Sequence, residues 1–191
     1  HFRIIIILAV STLSACVAVQ QNHIEGTPLA ANTGVLFVGL HTRNVNKKQK
    51  ALVGNVVYHF RGVTNDRSSR RLIFNGKYHY LVVELPAGKY EFEKLTFGDQ
   101  YRRFNENSFT IKPRTITYIG DITSNILVSE KSVYSTLSVK DKYENALNYM
   151  STVYLKSSIK YPMDRKLIEL SFKSLKGAKA ARSGTIKINF Q

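Results

Sequence analysis

The chain has 191 residues, 28 Lys+Arg against 13 Asp+Glu for a net charge of +15, one Cys and no Trp. An apolar share of 43%, with 11 Tyr and 10 Phe, is enough to build a core; this excludes a wholly disordered chain, and the length suits one domain with extensions. The single cysteine excludes an internal disulfide framework and a Cys-rich zinc module.

The N-terminus reads HFRIIIILAVSTLSAC, with Arg3 its one charge. About 10 apolar residues are too few to span a bilayer, which takes about 20. A positive flank, a short apolar run and then small residues predict a cleaved secretory signal over residues 1–15. The first residue is His rather than Met, so one or more starting residues are expected to precede it.

That run ends in Leu13-Ser14-Ala15-Cys16, which resembles the lipobox of bacterial lipoproteins: an apolar residue, two small ones, then cysteine. The resemblance implies cleavage between Ala15 and Cys16, a diacylglyceryl group on the Cys16 thiol and acylation of the new amine. Two or more acyl chains make attachment stable rather than transient. Val17 stands where Asp would favour retention in the inner membrane, so the resemblance implies an outer-membrane anchor facing the periplasm.

Residues 16–33 lack a sustained period and contain Gln, Asn, Gly, Pro and Thr, which predicts a flexible tether from the lipidated cysteine. From Gly34 to Lys140 short β-type runs recur: 34–41, 55–61, 71–75, 80–85, 89–97, 108–112, 115–123 and 132–140. Their spacing, with turn residues between them, predicts an antiparallel β-sandwich. The absence of long crossover helices from 34–140 argues against a parallel α/β sheet. In 89–97, Tyr90 and Phe92 alternate with Glu91 and Glu93, and the phase slips near Lys94. Leu85-Pro86-Ala87-Gly88 and Asn75-Gly76 predict hairpin turns.

After Lys140 the period becomes helical. Asp141-Lys142-Tyr143-Glu144 matches a capping box, and Tyr143, Ala146, Leu147, Met150, Val153 and Tyr154 then predict one helix that ends before Tyr161-Pro162. Residues 166–174 favour a strand over a helix, and 141–191 as a whole reads as that helix plus a basic extension. The sequence from Val83 to Tyr90, then Phe109–Ile111 and Thr117–Ile122, resembles a group of bacterial lipoproteins with a transthyretin-like (prealbumin-like) β-sandwich. That resemblance covers roughly residues 34–160. It implies the fold and no particular activity.

Candidate chemistry is sparse. Asp121, after Gly120, is the one tempting carboxylate, but no second carboxylate lies near it in sequence. Gly120 is expected to permit a bulge or close approach, and Asp121 to bond a loop backbone. His41, His59 and His79 lie in or beside predicted strands without metal-ligand spacing, so no metal or cofactor is expected. Ser157 and Lys160 match an SxxK spacing that chance supplies in a chain this rich in Ser and Lys.

Without residues 1–15 the chain holds 27 basic and 13 acidic groups, and nine of the basic groups lie in 156–191. Behind a lipoprotein-like signal the expected anions are lipid phosphates or envelope polymers rather than nucleic acid. The sequence thus predicts a non-enzymatic envelope lipoprotein acting as a binding or structural module. Its alternatives are a component of a larger envelope assembly using the 141–158 helix or basic tail, and a periplasmic hydrolase using Asp121.

Overall fold

The computed structural model describes residues 22–44, 56–63, 67–74, 78–97, 100–105, 107–129 and 132–173. The signal, Ala15, Cys16, the Asn75-Gly76 turn and the end of the basic extension lie outside them. The described chain runs β1 (Thr33–Asn44), β2 (Val56–Gly62), β3 (Ser69–Phe74), β4 (Tyr78–Pro86), β5 (Gly88–Phe97), β6 (Gln100–Arg103) and β7 (Ser108–Ile111). It continues through β8 (Ile116–Ser129), β9 (Ser132–Lys140), α1 (Tyr143–Val153), α2 (Leu155–Lys160) and β10 (Met163–Arg165).

The protein is mainly β, built on two five-stranded sheets. One, sheet A, has the order β10-β8-β1-β4, with β9 also on β8; the other, sheet B, has the order β3-β2-β5-β6, with β7 also on β5. Alternation along the strands puts Leu36, Val38 and Leu40 of β1 and Leu81, Val83 and Leu85 of β4 on the inner face of sheet A. They meet Tyr58, Phe60, Tyr90 and Phe92 of sheet B in one core. Each such side chain contributes about 1.5–3 kcal/mol by leaving water.

Sheet A is buried on both sides. Its other face carries Val35, Phe37, Tyr80, Val82, Ile116 and Tyr118, which pack against Ala146 and Met150 of α1 and against Leu29 and Tyr161 in a second core. The result is three layers: sheet B, sheet A and a helical cover. Phe37 sits central in that second core, 5.1 Å from the Tyr80 ring and 5.6 Å from that of Tyr118.

Several sequence expectations give way here. The sandwich is not wholly antiparallel: β1 and β8 pair in parallel, as do β10 and β8. A parallel pair needs a long return path, and between β1 and β8 that path runs through the strands of sheet B and through β4 rather than through a helix. Pro86-Ala87-Gly88 is not a hairpin, because β4 belongs to sheet A and β5 to sheet B. It is a corner between sheets, fixed by the Ala87 N–H donating to the Asn32 carbonyl (2.7 Å) and by the Tyr90 hydroxyl donating to the Pro86 carbonyl (2.7 Å). Positive φ occurs at Gly26 and Gly120 among the described glycines, so Gly88 does not need that freedom.

The single helix becomes two. α1 has Lys142 rather than Asp141 at its N-cap, with no side-chain cap bond; Asp141 instead accepts from the Tyr143 N–H (3.1 Å) and pairs with Arg165. Residues 166–173 do not form the expected strand, although Ile168 and Leu170 point inward. They cross between the sheets: the Lys166 and Ile168 N–H groups donate to Tyr118 and Ile119, and further on the Lys173 N–H donates to Arg103. Within the segment expected as a tether, Asn22 bridges Val83 at the β4 edge, and His23 and Leu29 are buried.

Candidate functional site

Two buried polar networks lie under the helical cover. The first contains the carboxylate singled out in the sequence. Phe37 pairs with Tyr118 but Gly39 with Asp121, so β8 carries one extra residue there, and Gly120 stands at the shift with φ +109°. This bulge reverses the phase of β8: Tyr118 and Asp121 both point toward the helices, while Ile119, Ile122 and Ile126 point into the core between the sheets.

Asp121, 2% exposed, accepts a hydrogen bond from the Tyr118 hydroxyl at Oδ1 (2.8 Å), and Lys142 Nζ lies 3.5 Å from Oδ2. The Lys142 N–H in turn donates to the Tyr118 oxygen (3.2 Å). Asp121 therefore ties the Tyr118 hydroxyl and the Lys142 ammonium together at the bulge. Burial, and then the carboxylate beside it, push the Tyr118 phenol well above its ordinary value, which keeps it a donor. His41 is close enough to feel both Asp121 and Lys142. Its own value is lowered by burial first, then by Arg43 and Lys142, with Asp121 opposing.

The other histidines do not join it. His59 lies in sheet B with Nε2 3.1 Å from Thr96 Oγ1, and His79 is exposed on β4. Among the described residues no three His, Cys, Asp or Glu side chains are placed to hold a metal ion. Gly88 and Pro86 serve the corner described above.

The second network was invisible in the sequence. His23 Nδ1 lies 2.6 Å from Glu84 Oε1, and His23 Nε2 lies 2.8 Å from Ser157 Oγ. The Ser157 hydroxyl donates to Glu25 Oε2 (2.9 Å), and the Lys156 N–H donates to Glu25 Oε1 (2.6 Å). Glu25 thus caps the start of α2 from 131 residues away. Burial alone would raise the Glu25 carboxyl, but the hydrogen bonds from Lys156, Ser157 and Gly26 together hold it below its ordinary value. No spacing rule could have found these partners, because His23 and Ser157 are 134 residues apart.

Serine, histidine and glutamate in contact in this order resemble a nucleophile relay in kind. The chemistry differs in two ways. Ser157 is 2% exposed, and its proton goes to Glu25 instead of the imidazole. The imidazole lies between the Glu84 carboxylate and the Ser157 oxygen, and the hydroxyl's own hydrogen bond runs on to Glu25. A hydrogen-bonded clasp joins three elements; a nucleophile needs a reachable oxygen and a base free to take its proton.

Sheet B carries a shallow cleft of about 270 Å³ between the β5 strand and the crossing segment, lined by Arg61, Glu91, Glu93, Lys94, Arg103 and Lys173 among others. Arg61 lies 3.6 Å from Glu91 and 3.5 Å from Glu93, so part of its charge is balanced within the cleft. No helix of the described residues is long and apolar enough to cross a membrane. The chain matches no known protein-family model, no curated protein and no solved structure.

Proposed function

We propose that this chain is a lipid-anchored protein of a bacterial envelope, a non-catalytic binding or structural module held at the membrane by Cys16. The observation that carries this reading is the Leu13-Ser14-Ala15-Cys16 tetrapeptide, placed directly after a short apolar run and six residues ahead of Asn22, the first residue described in contact with the fold. With Val17 next to the cysteine, the anchor belongs in the outer membrane, facing the periplasm.

The strand orders β4-β1-β8-β9 and β3-β2-β5-β6, with β1 and β8 parallel, support assigning the sandwich to the transthyretin-like class. The non-catalytic reading draws support from the two networks, whose side chains bind one element of the fold to another. The excess of Lys and Arg suits anionic lipid phosphates or envelope polymers as neighbours.

Metabolic labelling with a fatty-acid analogue tests the proposal. The parent protein takes up label and loses residues 1–15. Cys16→Ser takes up none and accumulates as uncut precursor. Label on the variant, or an unmodified Cys16 in native material by mass spectrometry, overturns the reading.

A further inference from the structure

We infer that α2 and the N-terminal segment at Ile24 form a second membrane contact, in which Ile24, Leu155 and Ile159 sit in the headgroup region of an anionic phospholipid bilayer. This rests on the lipoprotein reading and adds an orientation to it. Of the large hydrophobic side chains exposed among the described residues, Ile159 (79%) and Ile24 (70%) are the most open to solvent, and Leu155 is 52% exposed.

They are held together by the second network. Ser157 faces inward, so Leu155 and Ile159, each two positions from it on a helix of 3.6 residues per turn, face outward on one side. Glu25 bonds the Lys156 N–H and Ser157, which fixes the adjacent Ile24 beside the same helix. The result is an amphipathic element with an apolar outer face, flanked by Lys156 and Lys160, and it is built into the domain by a buried clasp.

Three arguments select a bilayer as occupant. Asn22, six positions after Cys16 in the sequence, bridges Val83 and stands one residue from His23 in that clasp. Six residues reach at most about 20 Å even when fully extended, so acyl chains on Cys16 keep this end of the domain at the membrane surface. The flanking charges are lysines, which match lipid phosphates and let apolar stems lie along the interface. The Glu25 carboxylate, at the start of the same helix, is already committed to the Lys156 N–H and the Ser157 hydroxyl.

The absence of Trp from the chain makes the test direct. Full-length protein carrying Ile159→Trp is purified with its native Cys16 modification and placed in vesicles of phosphatidylethanolamine and phosphatidylglycerol, some with brominated acyl chains. Tyr101→Trp, 58% exposed in the parent on β6 of the other sheet, serves as the remote reference. The expected result is blue-shifted emission from Ile159→Trp and bromine quenching several-fold above that of Tyr101→Trp. Mass spectrometry of the same samples reports on Cys16. Acylated Cys16 with equal quenching at both positions overturns the membrane contact and leaves the lipoprotein reading intact. Unmodified Cys16 overturns both. Shielding of Ile159→Trp in lipid-free protein, from a second copy, overturns the bilayer as occupant.

Discussion

Gly39 and Asp121 occupy a space with room for one side chain: a Cβ at position 39 would lie 2.3 Å from the Asp121 Oδ1 and 2.6 Å from its Cγ. β1 thus yields its volume to the carboxylate that β8 turns inward. Gly39→Ala is expected to cost about 2–3 kcal/mol, because neither the strand nor the bonded carboxylate can move away freely. Asp121→Ala removes the acceptor of the Tyr118 hydroxyl and is expected to cost about 2–4 kcal/mol. Combined, the two should cost at least about 1 kcal/mol less than their sum, since the clash is gone. Denaturant melts of the four proteins measure this, and strict additivity would show that the two residues do not compete.

Gly120 sets the phase of β8 by adopting φ +109°, and an added Cβ would also meet Val139 Cγ1 at 2.6 Å. Gly120→Ala is expected to destabilise the fold by about 1–3 kcal/mol. Thermal melting reports the loss. An unchanged midpoint would mean that the bulge does not depend on this residue.

Ser157 belongs to a clasp, so its value should show as stability and not as reactivity. Ser157→Ala is expected to cost about 1–2 kcal/mol and to loosen residues 22–29, read as faster amide exchange there. A fluorophosphonate probe should leave Ser157 unlabelled in the folded parent protein. Covalent labelling would revive the hydrolase alternative at a place other than Asp121.

Acid should weaken the fold in a defined window. His41 and His59 both lie below the ordinary imidazole value, His59 through burial first and then Lys94 and Arg71. The unfolded chain therefore binds these protons more readily, and stability held above the unfolded value is lost as pH falls through the lower folded values. The melting temperature should drop from about pH 7 to about pH 5, beginning near the unfolded imidazole value of about 6.5. The double variant His41→Asn/His59→Asn should flatten that slope, and an equally steep slope would exclude these two rings as its source.

Much of the fold could be read from local pattern. Alternating runs located most strands to within a few residues. The slip near Lys94 marks a real bulge, since His59 pairs with Lys94 but Phe60 with Phe92, leaving Glu93 as the extra residue. Turn chemistry misled at Pro86-Ala87-Gly88, because the same residues suit a hairpin and a corner between sheets. β10 escaped notice because three residues are too few to show a period, and β6 because Tyr101-Arg102-Arg103 breaks the apolar alternation, with Arg102 buried and lying over Phe172. The His23 clasp depends on contacts between distant segments, which no spacing along the chain encodes.

At Ile116–Tyr118, β8 has a parallel partner on each side: β10, near the end of the described chain, and β1, near the start. Sheet A is therefore closed by contacts of large sequence separation, and loops of that size form late. During synthesis the segment from Thr33 onward cannot finish its core until Met163–Arg165 has been made. A polypeptide emerging from amino to carboxyl end therefore leaves one side of the Ile116–Tyr118 stretch unpaired until those last residues arrive.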